Sequence, residues 1–301
     1  DGDGRDELFL SLIRELDSMP FVRRFAVTDD RSVEEVALAG WYDASSSGRA
    51  VMAAGDVSGD GYVDLVIGGP NFGLGDEVGR AAVYLGDGAG DFAPALQILD
   101  YVYDPQIGHV IESITLAQVD GVGGLDMLTT NMINTWAGEP TPPPDFLLVA
   151  TGLDGDSPQY VRTDLSHGVR AGTFADFTHD GLIDAALWSS QVYLAAGLED
   201  LSFGEEALAF VQGTWAINPT MVADDFDGDG LLDLLVASDE SSQEMLLAWG
   251  QEDGTLAEPL QLQTPDFESS LRGGTSGDLD SDGRPEMVAY GTWCGENVTQ
   301  W

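Results

Sequence analysis

Asp225-Phe-Asp-Gly-Asp-Gly-Leu-Leu-Asp233, running straight into Leu234-Leu235-Val236, decides how the rest of this chain reads. Acids stand at positions 1, 3 and 5, glycine at 6 and an acid at 9, and an apolar run of strand length follows. The frame returns as Asp56-Val-Ser-Gly-Asp-Gly-Tyr-Val-Asp64 before Leu65-Val66-Ile67, and as Asp176-Phe-Thr-His-Asp-Gly-Leu-Ile-Asp184 before Ala185-Ala186-Leu187. A fourth complete copy is Asp278-Leu-Asp-Ser-Asp-Gly-Arg-Pro-Glu286 before Met287-Val288. Two copies are partial. Asp1-Gly-Asp-Gly-Arg-Asp-Glu7 lacks the first two positions, and Asp120-Gly-Val-Gly-Gly-Leu-Asp126 reads as two residues short with no central acids. Copies spaced roughly 50–60 residues apart along the whole chain are the mark of an internal repeat.

Each unit carries more than its loop. A Gly-rich apolar segment precedes the complete loops (50–55, 171–175, 220–224), and a third apolar run follows the second (81–85, 146–150, 192–195, 245–249). A weaker fourth run closes the unit (96–99, 160–163, 207–211, 260–262). Short runs bounded by Gly, Asp and Pro argue strand over helix. Four strands per repeat predict an all-β fold, a β-propeller of four-stranded antiparallel blades spanning residues 1–301 as one domain. The loops at 1–7, 56–64, 120–126, 176–184, 225–233 and 278–286 predict six blades, or seven if the chain is part of a longer propeller. Leu8–Leu16 has spacing that would also fit a helix, and reads as a strand overrunning into a loop. Thr135–Asp145, with four prolines, reads as a surface insertion, because Pro cannot serve a central strand.

The loop chemistry follows from residue type and spacing. Hard cations take six to eight oxygens at about 2.3–2.6 Å. Alternating carboxylates in a tight loop converge on one point, and Gly at position 6 turns the chain so that the carbonyl at position 7 faces that point. The expected ligand sets are Asp56, Ser58, Asp60, the Tyr62 carbonyl and Asp64; then Asp176, Thr178, Asp180, the Leu182 carbonyl and Asp184. The remaining two complete sets are Asp225, Asp227, Asp229, the Leu231 carbonyl and Asp233; and Asp278, Asp280, Asp282, the Arg284 carbonyl and Glu286. All-oxygen ligation favours Ca2+ over Zn2+ or copper. About four calcium sites are expected, with a fifth, weaker one at Asp1, Asp3 and Glu7. The Asp120–Asp126 copy is expected to be a metal-free turn. An EF-hand opens with the same residues but needs a Glu at position 12 and flanking helices, which are not found here.

Composition excludes whole classes of partner. The 301 residues carry 53 acids against 11 basic residues, all arginine, for a formal net charge of −42. Such a chain repels phosphate backbones and anionic bilayers, so neither nucleic-acid binding nor membrane insertion is expected. The complete loops hold a minority of the acids, so a solvated acidic surface accounts for the larger part. One cysteine, Cys294, forms no internal disulfide, and no apolar run reaches membrane-spanning length.

The stretch Val51-Met-Ala-Ala-Gly-Asp56-Val-Ser-Gly-Asp60-Gly-Tyr-Val-Asp64-Leu-Val-Ile-Gly-Gly-Pro70 resembles an FG-GAP repeat, as found in the integrin α-subunit propeller and its bacterial relatives. The other copies are similar to the broader FG-GAP/VCBS class. The resemblance implies calcium in the loop between the first and second strands of a blade, an extracellular or cell-surface location, and a protein or glycan ligand on the propeller face. The function expected from it is a non-enzymatic adhesion or recognition module, acting as a monomer. The alternative is a calcium-stabilised propeller lyase or hydrolase acting on polysaccharide. That alternative requires a catalytic group outside the loops, and the candidates are His109, His167, Glu139, Glu205 and Glu206; His179 lies inside a loop and reads as a solvated spacer. For a lectin, Trp41, Trp136, Trp215 and Trp293 would supply stacking platforms, whereas Trp188 and Trp249 fall in core-like runs.

Overall fold

Second strands set the architecture. Leu65-Val66-Ile67, Ala185-Ala186-Leu187-Trp188 and Leu234-Leu235-Val236-Ala237 are apolar without alternation, which suits a strand covered on both faces. All of these residues are buried. Alternate side chains of one strand enter different cores. Leu234 and Val236 pack with Ala186, Trp188 and Val192, whereas Leu235 and Ala237 pack with Met245 and Leu247. Val66 likewise joins Ile111, Met127 and Ala150, while Leu65 and Ile67 join Ala82 and Tyr84 on the other face. Each such side chain contributes about 1.5–3 kcal/mol by leaving water.

The computed structural model describes residues 7–13, 20–27, 33–36, 51–69, 80–88, 92–93, 97–99, 108–134, 144–153, 155, 157–211, 220–237, 244–263, 271–277, 284–293 and 296–298. Among them the first sheet is β1 (Glu7–Ile13), β2 (Pro20–Val27) and β3 (Val33–Val36). Next come β4 (Val51–Gly55), β5 (Asp64–Gly69), β6 (Arg80–Tyr84) and β7 (Gln97–Leu99). The third sheet holds β8 (Gly108–Ala117), β9 (Asp126–Asn134), β10 (Phe146–Thr151) and β11 (Gln159–Asp164). The fourth holds β12 (Ala171–Ala175), β13 (Asp184–Trp188), β14 (Val192–Ala195) and β15 (Ala207–Phe210). The fifth holds β16 (Thr220–Asp224), β17 (Asp233–Ala237), β18 (Glu244–Ala248) and β19 (Leu260–Gln263). The last is β20 (Leu271–Gly277), β21 (Glu286–Trp293) and β22 (Glu296–Val298).

Strands within a sheet follow chain order, each antiparallel to the next. The chain divides into two compact units, Asp1–Arg162 and Thr163–Trp301. Within the first unit β4 lies against β8; within the second, β12 lies against β16 and β16 against β20. First strands side by side and outer strands away from them are the arrangement of β-propeller blades. Four sheets have the expected four strands, and the two end sheets show three among the described residues. Leu8–Leu16 is a strand through Ile13, as expected. Most of the Pro-rich insertion, together with Trp41, Trp136, Trp215 and Glu139, lies outside the described residues. Trp188 is fully buried, and Trp249 packs partly buried on the Leu235 core.

One sheet departs from the apolar rule. Thr129, Thr130 and Asn131 of β9 are fully buried. They are satisfied locally: Asn131 Nδ2 donates to Thr129 Oγ1 at 2.8 Å, and Thr130 Oγ1 pairs with Ser113 Oγ at 2.8 Å. Buried polar groups are tolerated where they are hydrogen-bonded in this way.

A second recurring element lies after the third strand and escapes the loop motif. Gly86, Gly197 and Gly250 each form an isolated bridge with an apolar residue six positions on: Phe92, Phe203 and Leu256. A Cβ on Gly250 would stand 2.5 Å from the Leu232 carbonyl oxygen, and Cβ atoms on Gly86 and Gly197 would strike the Val63 and Ile183 carbonyls. The substitution Gly197→Ala is therefore expected to destabilise by about 1–3 kcal/mol, as an overpacking change does. Leu208→Ala, at a side chain 53% exposed, should stay within about 0.5 kcal/mol. Chemical denaturation of both variants checks the contrast.

Candidate metal loops and a second polar cluster

Each loop is folded by its own carboxylates. Asp225 accepts from Gly228 N and Asp229 N on Oδ1, at 2.8 and 3.0 Å, and from Gly230 N on Oδ2 at 2.9 Å. Asp229 Oδ1 accepts from Leu231 N at 2.8 Å. Asp56 repeats the pattern with Gly59, Asp60 and Gly61, and Asp60 accepts from Tyr62 N at 2.9 Å. Asp176 takes Asp180 N and Gly181 N, and Asp180 takes Leu182 N. So the first acid wraps the chain around itself, and the acid at position 5 turns the backbone at position 7. Position 4 needs a left-handed backbone, with φ of 73° at Gly59 and 78° at Gly228. His179 fills this place at φ 58° and is exposed, as a spacer would be.

Oxygen atoms of Asp225, Asp227 and Asp229 lie within 4.8 Å of one another. Three converging carboxylates are the donor set of a hard divalent cation. In the loop that begins at Asp176, Thr178 Oγ1 at position 3 is buried without a hydrogen-bond partner. An oxygen left open there fits a cation ligand. Asp1, Asp3, Asp278, Asp280 and Asp282 lie outside the described residues, and only the backbone is described for Glu7 and Glu286. Arg284 is exposed and lies along the preceding loop, where a Cβ on Gly228 would sit 3.2 Å from its Nε.

The acid at position 9 has a distinct environment. Asp64, Asp184 and Asp233 are buried at the start of the second strand. Asp64 Oδ2 accepts from Val57 N and Ser58 N at 3.0 and 2.9 Å, and Oδ1 accepts from Gly86 N at 2.8 Å. Asp184 joins Thr178 N to Gly197 N, and Asp233 joins Phe226 N to Gly250 N. This carboxylate ties the loop to the bridge glycine after the third strand. Burial pushes all three carboxyls above their ordinary value of 3.8, while the backbone donors pull the other way.

The loop before β9 is not short. Counted back from Asp126, position 1 is Gln118, and glycines with φ of 73° and 71° fall at positions 4 and 6, as in the other loops. Asp126 accepts from Val119 N at 3.0 Å, as Asp64 does from Val57 N, and burial raises its carboxyl too. Gln118 Oε1 accepts from Gly121 N at 2.8 Å, in the way that Asp56 accepts from Gly59 N. Its Nε2 points at the carbonyls of Gly124, Gly123 and Val122, at 2.7, 3.3 and 3.4 Å. An amide donor thus occupies the place where the acidic loops offer oxygens to a cation.

A second polar cluster lies outside the loops. His167, in the connection between β11 and β12, places Nδ1 2.8 Å from Glu206 Oε2. Ser166 Oγ lies 2.9 Å from Glu206 Oε1 and 3.1 Å from His167 Nδ1, and Ser166 N donates to the same Oε1. The His167 ring stacks on Tyr193 at 4.1 Å, with 23° between the planes. The Glu206 side chain is only 6% exposed, so Glu206 is a buried acceptor rather than a surface acid. His109 is 4% exposed and sits in β8 against Phe146. Glu205 is exposed.

Comparison with known proteins places the repeats. The FG-GAP repeat profile matches residues 47–85, and the FG-GAP-like repeat profile matches residues 225–289. No curated protein matches the chain. Among solved structures, luciferin-regenerating enzyme aligns at a TM-score of 0.50 with 13% identity, over 93% of this chain and 82% of its own. The periplasmic gluconolactonase of Pseudomonas aeruginosa aligns at 0.49 with 15% identity, over 87% and 83%. At such identities the likeness is one of fold. The expectation of a non-enzymatic adhesion or recognition module is corrected on this comparison, since luciferin-regenerating enzyme, which shares the fold, is an enzyme. The reason is physical: blades are scaffold, and chemistry is decided by the side chains their connections bring together. Two of the candidates named from the sequence, His167 and Glu206, lie 39 residues apart and are in contact.

Two outcomes test the loop reading. Gln118→Ala should cost about 1–2 kcal/mol through lost hydrogen bonds, in calcium and in chelator alike, with no change in the calcium bound per chain by calorimetry. The raised carboxyls at Asp64, Asp126, Asp184 and Asp233 mean that the folded state binds more protons than the unfolded state just above pH 3.8. Stability then rises as pH falls toward that value, and metal-free protein should melt higher at about pH 5 than at about pH 8. No helix among the described residues is long and apolar enough to cross a membrane. With two profile matches on acid-rich strand connections and sequential antiparallel sheets joined through their first strands, the chain carries FG-GAP repeats in a β-propeller of four-stranded blades.

Proposed function

We propose that this chain is a calcium-stabilised β-propeller enzyme of hydrolytic type, working outside the cell. The observation that carries the calcium part is the convergence of Asp225, Asp227 and Asp229 within 4.8 Å in a loop already shaped by its own hydrogen bonds. Asp56 with Asp60, and Asp176 with Asp180, supply similar seats with Ser58 or Thr178 at the third position. A flexible all-oxygen loop suits Ca2+ better than Mg2+, which demands a tighter octahedron. Neutralising carboxylates that repel one another couples ion binding to folding. Extracellular calcium fills such sites, whereas cytosolic levels leave the weaker ones empty. The similarity in fold to luciferin-regenerating enzyme supports catalysis, and the net charge of −42 argues against polyanionic partners.

Removing the metal tests the reading. Excess chelator should lower the melting temperature, with calcium at a hundred times its Kd restoring about 2.7 kcal/mol per linked site. Asp227→Asn should weaken one site without affecting the others, seen as a lost calorimetric step. An unchanged melting curve in chelator would overturn the metal role. A screen of polysaccharides and simple esters that finds no turnover by the calcium-loaded protein would overturn the enzyme.

A further inference from the structure

We infer that His167, held by Glu206, is a general base for water attack on an acyl ester. This inference deepens the hydrolase reading and rests on it. The Glu206 side chain is 6% exposed, and its carboxylate faces Ser166 N, Ser166 Oγ and His167 Nδ1. With Nδ1 turned to the Glu206 carboxylate at 2.8 Å, Nε2 is the ring nitrogen left to act as the base. The Tyr193 ring lies flat beneath the imidazole and fixes its plane. Tyr193 is itself buried and anchored, with its hydroxyl donating to Gln191 Oε1 at 3.1 Å.

The surrounding chain presents the ring rather than hiding it. Leu165 and Val169 are buried on either side, at 6% and 1% exposure, and pin the connection down at both ends. Between them Ser166, His167 and Gly168 are exposed. On the opposite side Phe203 N donates to Thr163 Oγ1 at 3.1 Å, which fixes the segment leading to Glu206. The imidazole side chain is 42% exposed while its partner is 6% exposed. One ring nitrogen is thus committed to a buried anion while the ring reaches solvent. That is the division of labour of an oriented general base.

The chemistry left available selects the substrate class. Glycoside hydrolysis takes two working carboxyl groups, and the Glu206 carboxylate is engaged by its donors. A single basic nitrogen suits an electrophilic acyl carbon. Nε2 removes a proton from water as the water oxygen bonds to that carbon. The bond from carbon to the alcohol oxygen then breaks, and the imidazolium returns the proton to the leaving oxygen. Ester and water give acid and alcohol. His167 is the catalytic residue and Glu206 the positioning residue, while Ser166 contributes its backbone amide to the Glu206 carboxylate.

The test uses the calcium-loaded protein with p-nitrophenyl acetate and nitrogen-15 NMR of the histidine ring. Wild type should hydrolyse the ester on the order of a hundredfold faster than free imidazole at equal concentration. His167→Ala, at an exposed position, should fall to the background rate with its melting curve unchanged. The NMR spectrum should show the Nδ1-protonated tautomer of His167. Glu206→Gln should move the ring toward the Nε2-protonated form and lose most of the rate; should that variant fail to fold, the wild-type tautomer and His167→Ala still decide. Ser166→Ala should keep most of the rate, and an acetyl-enzyme burst that it abolishes would instead make Ser166 the nucleophile and overturn the inference. A His167→Ala protein as active as wild type overturns the base while leaving the hydrolase standing. A wild-type rate no better than imidazole overturns the base as well, and the calcium titration and polysaccharide screen then judge the broader reading separately.

Discussion

In four of the described sheets one buried carboxylate holds the loop in place. Asp64, Asp126, Asp184 and Asp233 each open a second strand, in a position where a charge is costly to desolvate. The burial is tolerated because backbone N–H groups from two separate segments converge on each of them. One segment is the loop just crossed, and the other is the turn after the third strand. An asparagine there would keep one acceptor oxygen but turn an N–H toward the other segment, leaving that amide unpaired at the cost of a buried orphan donor. The bridge glycine belongs to the same device. Its amide reaches the carboxylate only because nothing but hydrogen stands between its Cα and the carbonyl opposite.

That device is separable from cation binding, and Asp126 is the demonstration. Its loop has lost the acids at positions 1 and 5 and yet keeps the buried carboxylate, the amide from Val119 and both left-handed glycines. A side-chain amide stands at position 1, where the acidic loops have a carboxylate. Gln118 accepts with its oxygen where Asp56 accepts, and donates with its nitrogen toward three carbonyls. An acid at position 1 makes the loop an anion that repels itself, and an amide brings its own positive end.

Much of this was legible in the sequence, for reasons that can be stated. The loops and second strands are local signals: spacing within nine residues and a run of apolar residues suffice. Register is harder. The Asp120–Asp126 copy reads as short when counted from its acids, and the glycine conformations at Gly121 and Gly123 show that Gln118 begins it. The Gly-to-Phe and Gly-to-Leu spacing after the third strand, at Gly86–Phe92, Gly197–Phe203 and Gly250–Leu256, was visible as a repeat but carries no charged residue to draw notice. The polar centre of β9 was equally open to view, yet nothing local says that Thr130 has Ser113 for a partner. His167 and Glu206 are the extreme case. They meet only because the fourth sheet folds back between them, which no spacing rule encodes.

The surface charge links these elements to solution conditions. With 53 acids and 11 arginines the whole molecule attracts cations, and a field of that size raises their local concentration without choosing where they bind. Choice comes from convergence. Asp225, Asp227 and Asp229 gather oxygens in a single loop, whereas Asp120 stands alone beside Gln118. Salt screens the diffuse field over about 8–10 Å but acts weakly on oxygens in direct contact with an ion. Ionic strength should therefore shift the affinity of the acidic loops through the field alone and leave the Gln118 loop untouched. The neighbouring loop acids still reach the buried carboxylate at position 9, adding to the upward push of burial on Asp184 and Asp233, so neutralising those acids also relieves the start of the second strand.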